Sequence, residues 1–229
     1  LEYAADTADA CHDAGLRTVA VSAGYVNAGP REQLFGRMDA ANIDLKAFSD
    51  DFYHRVCGGR LAPVLDTLVW LSEHDVWTEI TTLVIPGLND SDDEIREMSR
   101  WIVTNLGAHV PLHFSAFHPD FRMLDVPPTP AATLSRARQV AMAEGLRYVY
   151  TGNVHDSEGG TTLCPACHAE VVVRDWYRID RYELTDDGHC THCGGIVDGV
   201  SSGPVGGWGR RRRPLHLAGT SATAAGGPP

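Results

Sequence analysis

Four cysteines fix one point of this fold before anything else does. Cys164 and Cys167 form one Cys-x-x-Cys pair, Cys190 and Cys193 a second, with 22 residues between the pairs. A thiolate is a soft anionic ligand, and a two-residue gap lets one turn aim both sulfurs at a single ion. Two such knuckles close a tetrahedron of four thiolates, the pattern of a structural zinc or rubredoxin-type iron site. Both pairs lie in polar turns rather than apolar runs, which favours a metal over four unrelated thiols. Zinc is the default ion, since nothing around the knuckles marks iron. His168, His189 and His192 offer substitute ligands, but four sulfurs suffice.

Upstream, the chain alternates. Leu1, Ala4, Ala5, Ala8 and Cys11 repeat at helical spacing, with Gly15 as the stop. Arg17 to Val21 reads as a short buried strand, and Gly29-Pro30 opens a helix with Pro30 at its first position. Asn42 to Phe48 reads as a strand, Leu61 to His74 as a helix, and the Thr-, Val- and Ile-rich run Trp77 to Ile85 as a strand. Ser91 to Glu94 is a capping box, with Ile95, Met98, Trp101 and Ile102 on one helical face behind it. Val110 to Phe117 is a further strand, Thr129-Pro130 starts a helix ending near Gly145, and Arg147 to Tyr150 is the last strand. Five strands alternating with helices mean βα repeats and a parallel sheet, doubly wound or part of a barrel. No Gly-x-Gly-x-x-Gly or Walker loop follows the strands, against a nucleotide-binding open sheet.

The boundaries follow composition: a βα part over 1–155, loops and knuckles over 156–198, and a Gly/Ala/Arg tail over 199–229 expected to be disordered. The tail's Arg210–Arg213 run reads as a solvated segment rather than a binding patch. A formal charge of −11 over 229 residues argues against nucleic acid as a partner. With four of six cysteines in knuckles, Cys11 and Cys57 are left far apart, so disulfides are not expected and a reducing, cytoplasmic setting is. No apolar run approaches the ~20 residues of a membrane span.

One strand carries chemistry. In Asn42 to Phe48, alternation puts Ile43, Leu45 and Ala47 on one face, Asp44 and Lys46 on the other. Two charges on one face are either a mutual ion pair or the contacts of a polar ligand, and the cost of burying charge favours the ligand. Val21-Ser22-Ala23-Gly24-Tyr25, Val84-Ile85-Pro86-Gly87 and Phe117-His118-Pro119 put small or polar residues at neighbouring strand ends. Function in parallel α/β folds concentrates at the carboxyl ends of strands, so these outline one pocket mouth. His113 reads as a core histidine bonded to backbone. Metal-dependent hydrolysis through His113 and His118 is disfavoured, because an extended strand points residues five apart to opposite faces.

These motifs, with Asp44-Leu45-Lys46, Phe114-Ser115-Ala116-Phe117-His118-Pro119 and Tyr148-Val149-Tyr150-Thr151-Gly152-Asn153, resemble the radical S-adenosylmethionine (SAM) family in order and spacing over roughly residues 1–198. The likeness is to its pyruvate formate-lyase-activating-enzyme branch, and within it to the AmmeMemoRadiSam system enzyme, whose barrel is also followed by a Cys-x-x-Cys ribbon. The resemblance implies an α/β fold: an incomplete parallel (β/α) barrel followed by a small four-cysteine ribbon. It implies SAM and a [4Fe–4S] cluster as cofactors, with reductive cleavage of SAM and hydrogen-atom abstraction from a substrate. Asp44 and Lys46 would bond the ribose and carboxylate region of SAM. The Ser22–Gly24 turn would add a polar contact, although Ala23 replaces the family's Asn. His118 would lie near the adenosine end. All are positioning residues, and none is assigned as catalytic.

The resemblance also implies an electron donor, a substrate that these residues do not name, and other proteins of the AmmeMemoRadiSam system as partners. The family's Cys-x3-Cys-x2-Cys loop and Gly-Gly-Glu turn do not occur here, so the chain is expected to be the C-terminal portion of the enzyme, inactive and aggregation-prone alone. The competing expectation is a non-catalytic zinc-ribbon binding module on a degenerate half-barrel.

Overall fold

In the computed structural model, residues 1–200 are described. The 199–229 tail, its Arg210–Arg213 run included, therefore falls almost wholly outside the described residues. Helix α1 (Glu2–Asp13) leads into β1 (Val19–Ser22), α2 (Ala28–Phe35), β2 (Ala40–Asp44), a short α3 (Asp50–Phe52) continuing as a π-turn over Tyr53–Cys57, and α4 (Ala62–Glu73). Then come β3 (Trp77–Val84), α5 (Asp92–Asn105), β4 (Leu112–Ala116), α6 (Ala131–Ala143) and β5 (Val149–Gly152). The five strands form one sheet in the order β1-β2-β3-β4-β5, every neighbouring pair parallel. This is the expected α/β partial barrel.

The parallel register sorts the side chains into two faces. Ala41 and Ile43 of β2, Ile80 and Val84 of β3, Leu112 and Phe114 of β4 and Val149 of β5 are buried in one core with α4, α5 and α6. The opposite face carries Asn42, Asp44, Glu79, Thr81, His113 and Tyr150, all half-buried. Helices cover one face only, so strict in–out alternation persists through β3, where a sheet covered on both sides would be apolar throughout.

Several local expectations change. β2 ends at Asp44 rather than Phe48, because Leu45 N turns back to donate to Ile43 O at 3.1 Å. Leu45 and Ala47 stay fully buried, so the hydrophobic alternation outruns the ladder. Pro30 is the third residue of α2, still within the turn whose N–H groups need no helical partner. The α5 capping box is only half formed. Ser91 Oγ accepts from Glu94 N at 3.3 Å, but the Glu94 carboxylate accepts from Phe48 N at 2.7 Å instead of reaching back. It thereby ties the loop after β2 to the start of α5.

Beyond β5 the chain is more regular than loops and knuckles. β6 (Thr162–Leu163), β7 (Glu170–Asp175) and β8 (Arg178–Tyr182) form an antiparallel three-stranded sheet. Tyr148, Cys164, Val171, Cys190 and Val197 make a second buried cluster, which seats this sheet against the start of β5. Tyr148 OH donates to Asp198 Oδ2 at 3.0 Å and accepts from Asp198 N at 2.9 Å, while Arg147 pairs with the same carboxylate.

Candidate functional site

The strand ends bring Asp44 and Lys46 together, with Lys46 Nζ 2.9 Å from Asp44 Oδ2 and both side chains about two-thirds covered. The mutual ion pair is thus present. The backbone around it is held from several sides. Lys46 N donates to Tyr53 OH at 3.1 Å, and burial pushes the Tyr53 phenol up to about 12, so it stays neutral in use. Lys46 O accepts from Asn89 Nδ2 at 2.7 Å. Asn89, almost fully buried, also donates to Leu83 O and accepts from Ile85 N at 2.6 Å, spending one amide on the loops after β2 and β3. Thr82 Oγ1 donates to Leu45 O at 2.8 Å. Thr129 Oγ1 donates to Val84 O at 2.6 Å and accepts from Phe117 N at 3.0 Å, which links the ends of β3 and β4. Asn89 and Thr129 had no signal in the sequence, because their partners lie on other strand ends.

Ser22 pairs in register with Ile43, on the helix-covered parity, and its Oγ accepts from Gly24 N at 3.1 Å. Gly24 has φ +65°, and a Cβ there would stand 2.8 Å from Ile43 Cγ2. Thr67 Oγ1 donates to Gly24 O at 2.7 Å, so this turn is clamped onto α4. His118 is exposed after β4, its Nδ1 3.0 Å from Pro119 O. Cys57 closes the π-turn beside Lys46; burial pushes its thiol up although the Lys46 charge acts the other way.

His113 differs from its expected role. Its Nε2 lies 2.7 Å from Glu79 Oε2, a side-chain partner one strand away, and its ring stacks on Tyr150 at 5.1 Å. Burial would raise the Glu79 carboxyl, but His113, Trp77 Nε1 and the Arg174 charge together hold it below its ordinary value. Arg174 of β7 lies over the Tyr150 ring at 5.3 Å, and Tyr150 OH meets Thr162 Oγ1 at 2.9 Å. A cavity of about 1470 Å³ separates the bare sheet face from the small sheet, with Asn42, Glu79, His113, Tyr150, Arg174 and Trp176 among its walls.

The four knuckle cysteines converge as expected. Cys164 Sγ is 3.6 Å from Cys193 Sγ, Cys167 Sγ is 3.8 Å from Cys190 Sγ, and all four sulfurs lie within 4.8 Å of one another. A tetrahedron with metal–sulfur bonds of about 2.3 Å has S···S edges of about 3.8 Å, so the group fits one ion. A disulfide would need ~2.05 Å. Burial opposes ionising Cys164, yet backbone N–H groups of Cys167 and Ala166 help bring the thiol down to about 7. The residue after each knuckle, His168 or Gly194, is left-handed at φ 59° or 73°. A Cβ on Gly195 would lie 2.9 Å from Ala166 Cβ and 3.3 Å from Cys193 Sγ, so this approach to the sulfurs requires glycine. His189 Nδ1 sits 3.2 Å from Asp187 Oδ2. The group closes with sulfur alone, and it is the one cluster of three or more metal-ligating side chains among the described residues.

Comparison with solved structures defines the fold. A domain of pyruvate-formate lyase-activating enzyme from Bacteroides vulgatus matches with a TM-score of 0.59 at 16% identity, covering 66% of this chain and 91% of that one. Streptococcus suis SuiB matches with a TM-score of 0.54 at 11% identity, covering 66% of this chain and 36% of SuiB. The parallel sheet and its helices are the partial barrel of the radical SAM type, with a four-cysteine cluster appended. In sequence, the chain is 39% identical over 198 residues to the uncharacterized protein MJ0808 of Methanocaldococcus jannaschii. That alignment covers 86% of this chain and 59% of MJ0808, so the chain spans under two thirds of its relative's length. No protein-family model matches the chain. No helix among the described residues is long and apolar enough to cross a membrane.

Proposed function

We propose that this chain is the SAM-positioning portion of a radical SAM enzyme of the AmmeMemoRadiSam type, stabilised by zinc at its four cysteines. The observation that carries the reading is the Asp44–Lys46 pair, held at the carboxyl end of β2 in a partial barrel of this fold. Lys46 offers an ammonium to the carboxylate of SAM, and Asp44 accepts from its ribose hydroxyls. The two charges balance each other before the ligand arrives, which limits the cost of keeping them partly buried. Tyr53 and Asn89 fix the Lys46 backbone, so the pair is pre-organised. SAM, when bound with a reduced cluster, supplies hydrogen-abstracting chemistry. The described residues do not fit that cluster: their one cysteine group is closed by four sulfurs, and Cys11 and Cys57 belong to no such group. The cluster ligands, an electron donor, the substrate and other proteins of that system belong to the longer enzyme and its surroundings, and the unbonded thiols suit a reducing cytoplasm.

The test is SAM binding by the full-length protein. Asp44→Ala and Lys46→Ala should each weaken it about tenfold, the worth of one charge-assisted contact. Full-length protein reconstituted anaerobically should release 5′-deoxyadenosine. Metal-loaded protein that binds no SAM would instead favour a non-catalytic module.

A further inference from the structure

Two unspent polar groups face the cavity between the bare sheet face and the small sheet. The first is on His113. A carboxylate only accepts, so the contact with Glu79 calls for a proton on Nε2, and in the neutral ring Nδ1 is then the acceptor. No described residue bonds Nδ1, and the ring is 30% exposed, turned to the cavity by its stacking on Tyr150. The second is on Arg174. Its hydrogen bonds go to Gly160 O at 3.3 Å and Thr162 Oγ1 at 3.0 Å, both neutral. No carboxylate among the described residues lies within ion-pair distance of it. Held by neutral oxygens and an aromatic face, with the Glu79 carboxylate acting on it only from beyond ion-pair distance, this arginine is poised for an anion.

Both groups line this cavity and sit against the same ring, 5.1 and 5.3 Å from the centre of Tyr150. We infer that this cavity binds a small carboxylic acid carrying a neighbouring hydroxyl or amino group. Its carboxylate pairs with Arg174, and its O–H or N–H donates to His113 Nδ1. Glu79 is a positioning residue, setting the tautomer of His113, and the small sheet is a wall of the site through Arg174. The volume, about 1470 Å³, exceeds the roughly 300–1,000 Å³ of common small-molecule pockets, so a small acid fits within it. Asp44 and Lys46 are not among the cavity's walls, so the inference goes beyond the radical SAM reading and does not rest on it.

The test uses full-length protein, with glycerate and serine as probes and propionate and glycerol as controls. Binding is followed by calorimetry and by the ¹⁵N shifts of His113. Glycerate or serine should bind at least about tenfold more tightly than either control, which lacks one of the two contacts. Arg174→Gln should weaken that binding about tenfold, Arg174→Lys less. In the unmodified protein Nε2 should carry the proton, and Nδ1 should shift on addition of the probe. Equal affinity for acid and controls, binding indifferent to Arg174→Gln, or an unmoved Nδ1 would overturn the inference. The nitrogen shifts need no variant, so misfolding of a mutant does not blur the result. SAM binding is measured on the same samples: intact SAM binding without acid binding refutes this inference alone, and acid binding without SAM refutes the radical SAM reading alone.

Discussion

Two backbone positions show what single residues are asked to do. Gly24 combines a left-handed φ of +65° with contact against Ile43, so Gly24→Ala meets both a conformational and a steric barrier. The variant should lose about 1–3 kcal/mol in a denaturant titration, with the turn after β1 losing amide protection first. His168 is the converse: a side chain where the second knuckle carries Gly194. His168→Gly should stabilise the metal-loaded protein by about 1 kcal/mol and leave metal content unchanged, since four sulfurs already close the site. Loss of the metal on that substitution would mean that His168 is a ligand. Residue-scale chemistry was legible where it is local. The cysteine spacing and the shared parity of Asp44 and Lys46 needed only short-range geometry. Glu79 and His113 stand 34 positions apart and meet through the β3–β4 register, which no local pattern reports.

Among elements, the loops that follow the strands are ordered by borrowed side chains. Asn89 bonds the chain after both β2 and β3, and its three partners are backbone groups with little access to water. Asn89→Ala should cost about 3 kcal/mol, as buried carbonyls and an N–H lose their partners. It should also weaken SAM binding, by freeing the Lys46 backbone while leaving the Asp44 and Lys46 side chains in the chain; an unchanged melting curve would show that water replaces the amide. Strands β2 to β5 were readable because one face of each carries buried residues and the other does not, whereas β1, expected as a buried strand, has none: Val19 and Val21 are exposed. The end of β2 was misjudged because Leu45 and Ala47 stay buried after the ladder stops. The antiparallel strands β6, β7 and β8 were missed because they are short and interrupted by the turn residues that serve the knuckles.

At the scale of the molecule, the two sheets share a boundary made of the metal site itself. Cys164 and Cys190 are buried against Tyr148, just before β5. Removing the ion leaves four thiols packed within 4.8 Å with nothing to neutralise their ionised forms. A strong chelator should therefore lower the melting temperature and expose Tyr148 and Tyr150 to solvent, followed by tyrosine fluorescence, and added zinc should restore both. A chelated protein with unchanged fluorescence would mean that the small sheet docks without its metal.

The reach of Arg174 onto Tyr150, and of Tyr150 onto Thr162, bears on how such a protein can be divided or can diversify. A cut near residue 155, the natural place to trim for a minimal barrel, would discard one side of the chamber together with its arginine. By the same geometry, drift in a segment that resembles a mere metal clip can retune what the barrel accepts while every barrel strand stays as it was. Selectivity in relatives should then track the hairpin as closely as it tracks the barrel.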